Sequence, residues 1–221
     1  MSAKRKAYKG LPMEGFIATW YANNTKGDAR GFDKIAKAVA DRVTPGGKIL
    51  EVAPGPGYLA IEIAKLGSYE VSGLDISRSF VRIASENARQ SGVSIDFRHG
   101  DAAHMPFPDE SFDFVVCTAA FKNFSDPVGA IDEIHRVLKP GGKASIFDLR
   151  KGASWEEIEA EVRGMGLSRL NTLLTRWTFR LMLLRTAYTY EALELMVSRS
   201  RFGKGEILKE GVGFDLRLAK P

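Results

Sequence analysis

The sequence predicts an α/β protein, with a mostly parallel sheet and helices on both faces. Two observations carry this. From residue 48 onward, short runs rich in Val, Ile and Phe alternate with helix-length segments, the pattern of right-handed β-α-β units. Two of those segments end at Gly67 and Gly92, where a closing left-handed residue is expected. Sheets of this kind bind ligands past the carboxyl ends of their strands, near the point where strand order reverses.

In order, the strand-like runs are KILEVA, YEVSGLD, SIDFRHG, FDFVVCTA and KASIFDL. YLAIEIAKLG, RSFVRIASENARQSG and DPVGAIDEIHRVLKPGG are the helical segments between them. The tail departs from the alternation. After the helical TYEALELMVSRS come GEILKE and GFDLRLAK, two β-like segments joined by a glycine-bearing turn, which predict an antiparallel hairpin. The chain divides as a single domain into an N-terminal helical cap (1–43), a ligand-binding core (44–150), a helical insert (151–187) and a terminal helix with hairpin (188–221). The insert reads as two helices broken at GMG.

Composition narrows the function classes. The chain has 221 residues, 44% hydrophobic and 27% charged, and one cysteine. Cys117 therefore has no intrachain partner, and neither a cysteine pair nor a close histidine pair suggests a metal. The apolar run FVVCTAAF is far shorter than a bilayer span, and no apolar stretch follows the basic N-terminus, so a cytoplasmic protein is expected. The net charge of +5 permits nucleic acid or an anionic membrane as partner but requires neither. It is concentrated in Lys4, Arg5, Lys6 and Lys9, and in an acid-free stretch holding Arg163, Arg169, Arg176, Arg180 and Arg185.

The first strand runs into EVAPGPGYLA, whose Gly55 and Gly57 satisfy GxGxxG/A by spacing, and Asp75 closes the second strand. This is nominally a dinucleotide fingerprint. Two details oppose a diphosphate. Pro54 and Pro56 each remove a backbone N–H that phosphate binding needs. Glu51 adds a carboxylate nearby, an unfavourable like charge. A nucleoside carrying positive charge fits better, with Asp75 accepting its ribose diol. Asp101 and the Ala102 N–H are placed to meet an adenine edge, with Ile76 as an apolar wall.

The runs ILEVAPGPG, VSGLDIS, HGDAAHMPFPDESFDFVV and NFSDPVGAIDEIHRVLKPGGKASIFD, in this order, resemble the class I S-adenosylmethionine-dependent methyltransferases of the ubiquinone/menaquinone-biosynthesis and small-molecule type. The resemblance covers residues 48–150. It implies a Rossmann-like sheet of about seven strands with the last one antiparallel. It implies Glu51, Ala53, Gly55 and Gly57 around the methionine moiety of S-adenosyl-L-methionine, Asp75 and Ile76 at the ribose and adenine, Asp101 and Ala102 at the adenine, and Thr118 as floor. Family members usually carry Gly at the position of Ala53 and a small or hydroxyl residue at that of Pro56. Where relatives often show two histidines, this chain has Lys122 and Asn123.

Methyl transfer from a sulfonium asks the protein mainly to align donor and acceptor and exclude water. A base is needed only for an acceptor whose proton is held well above the working pH. No catalytic residue is assigned. His99, His104 and His135 read as structural or surface residues. Candidates facing the acceptor are Trp20, Tyr21, Lys122, Asn123 and Trp177. Leu170, Leu173, Leu174, Trp177, Leu181 and Leu184 recur at helical spacing beside Arg169, Arg176 and Arg180. The 169–185 helix is thus a lid over an apolar pocket, a peripheral membrane contact or a packed amphipathic helix.

The expected acceptor is a small, apolar or aromatic molecule methylated at O, N, S or C. The alternatives are a nucleic-acid or protein methyltransferase and a non-catalytic S-adenosylmethionine-binding regulator. Nucleic acid is disfavoured because CTAAF stands where amino-directed enzymes place an Asn/Asp-Pro-Pro-aromatic motif, and no recognition module is appended. No pattern in the chain sets an oligomeric state.

Overall fold

A computed structural model describes residues 8–9, 13–25, 29–67, 69–164 and 184–221. Seven strands form one sheet in the order β3-β2-β1-β4-β5-β7-β6. They are β1 (Lys48–Val52), β2 (Glu70–Asp75), β3 (Asp96–His99), β4 (Phe112–Thr118), β5 (Leu138–Leu149), β6 (Glu206–Glu210) and β7 (Gly213–Ala219). The first five pair in parallel. β7 runs antiparallel to β5 and to β6, so the expected terminal hairpin is present and contributes the reversed strand.

Side-chain alternation explains why helices cover both faces. Ile49, Phe114 and Val116 point to one face, where they pack with Ala36, Val39, Leu59 and Ile63. Those partners lie on α2 (Ala29–Ala40) and α3 (Tyr58–Lys65). Leu50, Val52, Val115 and Cys117 point the other way, onto Ile131, Ile134, Leu193 and Val197, from α5 (Pro127–Val137) and the helix Tyr190–Arg199, here α7. α4 (Arg78–Gln90) starts at Ser77, whose hydroxyl accepts from the Phe80 N–H at 3.0 Å, a cap worth about 1 kcal/mol. Gly67 and Gly92 close α3 and α4 with φ of +77° and +71°.

Two segments lie outside the alternation. α1 (Gly15–Thr25) packs on α4, with Tyr21 edge-on to Phe80 at 5.8 Å. α6 (Trp155–Gly164) buries Ile158 and Val162 against Leu184 and Val212. Leu184 is the described end of the apolar stripe in the insert. Leu170, Leu173, Leu174, Trp177 and Leu181, with Arg169, Arg176 and Arg180, lie outside the described residues. Among the described residues no helix is long and apolar enough to cross a membrane.

Candidate functional site

Strand order reverses between β1 and β4; Ala53, Gly55, Asp75, Ile76 and Thr118 lie at or just past the carboxyl ends of β1, β2 and β4, while Asp101 and Ala102 follow β3. The turn after β1 holds its shape through its own N–H groups. Ala53 N donates to Leu74 O (2.7 Å) and Gly57 N to Pro54 O (2.9 Å), while Gly55 N donates to Asp75 Oδ2 (3.0 Å). Pro54 and Pro56 have none. From Ala53 to Gly57 no donor is left for a phosphate. Ala53 has φ +58°, a left-handed backbone that favours glycine. At Gly57, with φ +82°, a Cβ would stand 2.9 Å from both Ala84 Cβ and Phe97 Cζ, which fixes glycine there.

Two buried carboxylates flank this turn. Asp75, 5% exposed, accepts from Gly55 N through one oxygen and from Ser77 N through the other, at 2.8 Å. Burial lifts its pKa to about 6 against these hydrogen bonds. Its oxygens keep lone pairs for a diol, and it also fastens the turn to α4. Glu51 is 1% exposed, and burial raises its pKa to about 8, with the Ala60 N–H and the Thr118 hydroxyl acting weakly the other way. Its Oε2 is buried without a partner. Such an oxygen is costly unless a ligand supplies a donor, and a cationic donor would also favour the ionised form. The chemistry of this pair fits the ammonium and ribose of S-adenosylmethionine.

Ile76 is 38% exposed at the end of β2, an apolar side chain left open for a flat ring. Asp101 accepts from Ala103 N at 2.9 Å through Oδ1, and His104 Nδ1 lies 3.9 Å from its Oδ2. Ala102 is half-buried next to it.

On the acceptor side, Lys122 is 6% exposed in a 3₁₀ turn, Phe121–Asn123, that follows β4. Its Nζ pairs with Asp148 Oδ1 at 2.7 Å and donates to Ala119 O at 2.8 Å. The Lys122 N–H holds Asp148 Oδ2 at 2.8 Å. The sequence pointed to Lys122 but not to Asp148, which lies 26 residues away. Asn123 O accepts the Lys9 N–H at 2.8 Å. Tyr21 packs on Phe80 of α4, Trp20 is 57% exposed, and Trp177 lies outside the described residues. Cys117 is fully buried, which pushes its thiol up. His104 is exposed, and His135 packs edge-on against Phe202 at 4.9 Å. His99 lines a 440 Å³ cavity with Glu14, Arg78, Val81 and Arg82.

Sequence reasoning also missed the segment before α1. Glu14 accepts from Arg78 N (2.8 Å) and Ser79 N (3.1 Å), and Ser77 Oγ donates to Met13 O (2.6 Å). Tyr8 forms an antiparallel bridge with Phe124. A carboxylate at a helix start was the one available signal.

Residues 50–146 match the family model described as a methyltransferase domain. A demethylmenaquinone methyltransferase of Deinococcus radiodurans is 36% identical over 57% of this chain and 52% of its own. A 2-phytyl-1,4-naphthoquinone methyltransferase of Synechococcus elongatus is 34% identical over 61% of each. The chain therefore spans between half and two thirds of these relatives' length. A solved structure from Methanococcus maripaludis, assigned as an S-adenosyl-L-methionine-dependent methyltransferase, superposes with a TM-score of 0.76 at 22% identity. It covers 100% of this chain and 97% of its own, a likeness of fold.

Proposed function

We propose that this chain, which has the class I S-adenosylmethionine-dependent methyltransferase fold and carries a methyltransferase domain over residues 50–146, methylates a small molecule of quinone type. The observation that carries the reading is the turn from Ala53 to Gly57. It has spent its N–H donors internally and lies beside a buried carboxylate with one orphaned oxygen. That arrangement repels a diphosphate and suits a cationic nucleoside. The quinone class is supported by the two named relatives, which match only part of their length.

In this reading Glu51 accepts the cofactor's ammonium, and Ala53, Gly55 and Gly57 let its methionine moiety approach the backbone. Asp75 takes the ribose hydroxyls, Ile76 flanks the adenine, Asp101 and Ala102 meet its edge, and Thr118 forms the floor. Bound there, S-adenosylmethionine supplies a methyl group on a cationic sulfur, an electrophile that needs no further activation. Lys122 is paired with Asp148, so its charge is offset there, and its ammonium is left to position an acceptor rather than to ionise it. The lid or membrane-contact role expected of the 169–185 stripe falls, apart from Leu184 and Arg185, on residues outside those described.

The test is calorimetry with S-adenosylhomocysteine against NAD, followed by turnover with 1,4-dihydroxynaphthalene and a panel of O, N, S and C acceptors. Binding of S-adenosylhomocysteine with methylated product is expected. Uptake of NAD alone refutes the reading. Binding without turnover of any acceptor would instead indicate a non-catalytic S-adenosylmethionine-binding regulator.

A further inference from the structure

The N-terminal segment is anchored on both sides of the switch point. On the β5 side, Tyr8 bridges Phe124 and Lys9 N donates to Asn123 O at 2.8 Å. Lys9 Nζ donates to Tyr188 Oη at 2.7 Å and lies 5.1 Å from the centre of that ring. Tyr188 in turn packs on Phe121 and bridges Arg150, just past β5. On the β2 side, Met13 and Glu14 are tied to Ser77, Arg78 and Ser79 at the start of α4. Between the ends of β2 and β5 lie β1 and β4, a gap of about 14 Å at ordinary strand spacing. Tyr8 is thus fixed beside the strand ends where the cofactor and acceptor must meet.

The environment of its phenol agrees. Burial raises the Tyr8 pKa, and the charges of Tyr21, Asp75 and Asp148 add to the rise. Asp75 ends β2 and Asp148 lies near the end of β5, the two sides on which the segment is anchored. Such a phenol stays protonated and acts as a donor. Among the described residues it has no hydrogen-bond partner.

We propose that Tyr8 contacts the acceptor, its hydroxyl donating a hydrogen bond to a ring oxygen of a quinone-type substrate and fixing the ring's orientation. The inference rests on the methyltransferase reading above and adds to it a residue and a chemical requirement, an acceptor with a ring oxygen. It assigns Tyr8 no proton abstraction.

The experiment uses the full chain loaded with S-adenosylhomocysteine, titrated with 1,4-dihydroxy-2-naphthoate or with naphthalene-2-carboxylate, which lacks the ring oxygens. Tyr8→Phe should weaken 1,4-dihydroxy-2-naphthoate about five- to tenfold, the range of a neutral hydrogen bond. Affinity for naphthalene-2-carboxylate and for S-adenosylhomocysteine should stay unchanged, which also shows that the variant is folded. Equal affinity of wild type and variant for the dihydroxy probe overturns the proposal. So does a loss that falls on S-adenosylhomocysteine, which would put the phenol on the cofactor, and so does failure of the loaded wild type to bind the dihydroxy probe. If wild type does not bind S-adenosylhomocysteine at all, the methyltransferase reading itself fails and takes this one with it.

Discussion

Binding of a cationic nucleoside should expel a proton from Glu51. The buried carboxyl titrates near pH 8 in the ligand-free protein, so at pH 7 about nine-tenths of the molecules carry it neutral. An ammonium against Oε2 favours the ionised form, and binding should therefore release about 0.9 proton at that pH. Ionising Glu51 costs about 1.4 kcal/mol at pH 7 and about 0.4 at pH 8. A hydrogen bond to a charged group contributes about 1.5–3 kcal/mol. The net contribution at pH 7 is then about 0.1–1.6 kcal/mol, and the penalty of Glu51→Gln should grow about fivefold between pH 7 and pH 8. Calorimetry of S-adenosylhomocysteine in buffers of different ionisation enthalpy reads the proton count directly. Zero release from wild type at pH 7, or the same release from Glu51→Gln, would refute the reasoning.

Three further outcomes follow from the same geometry. Gly57→Ala places a methyl 2.9 Å from Ala84 and Phe97 on a left-handed backbone; urea unfolding should show a loss of about 2–5 kcal/mol, and S-adenosylhomocysteine binding should vanish. Lys122→Met strands Asp148, which is 7% exposed, without its counter-ion. A loss of about 3 kcal/mol is expected, because two backbone N–H groups still hold the carboxylate; a loss below about 1 kcal/mol would mean the pair is solvated. For the ligand-free protein, Glu51 has its pKa raised by folding from 4.5 to about 8. Its contribution is fully present below pH 4.5 and fades as pH rises through 8, by about 3 kcal/mol at pH 7. Stability of Glu51→Gln measured across that window should fall less steeply than wild type; parallel curves would place the titration elsewhere.

β1 and β4 were legible because each is buried on two faces and so appears as an apolar run bounded by turn residues, whereas β3 and β6 are largely exposed. The turn was legible because glycine at position 57 answers a steric demand made by Ala84 and Phe97, and because two prolines announce missing donors. What sequence reading missed depends on contacts between distant segments. Glu14 meets Ser79 across 65 positions, and Lys122 is buried only because Asp148 awaits it at the neighbouring strand. No periodicity encodes either. Trp20 and Tyr21 illustrate the limit within one helix: α1 carries apolar residues on several sides, and adjacent positions diverge by about 100°. Only docking on α4 sends Tyr21 to Phe80 and leaves Trp20 outside.

The sheet order also has a consequence for life in a crowded cell. Among the described residues, its outermost members, β3 and β6, each pair along one border only. β3 has four residues, among them Asp96, Arg98 and His99, and β6 carries Glu206, Lys209 and Glu210. Copies laid border to border would meet short, charge-studded ribbons, a poor template for fibril growth.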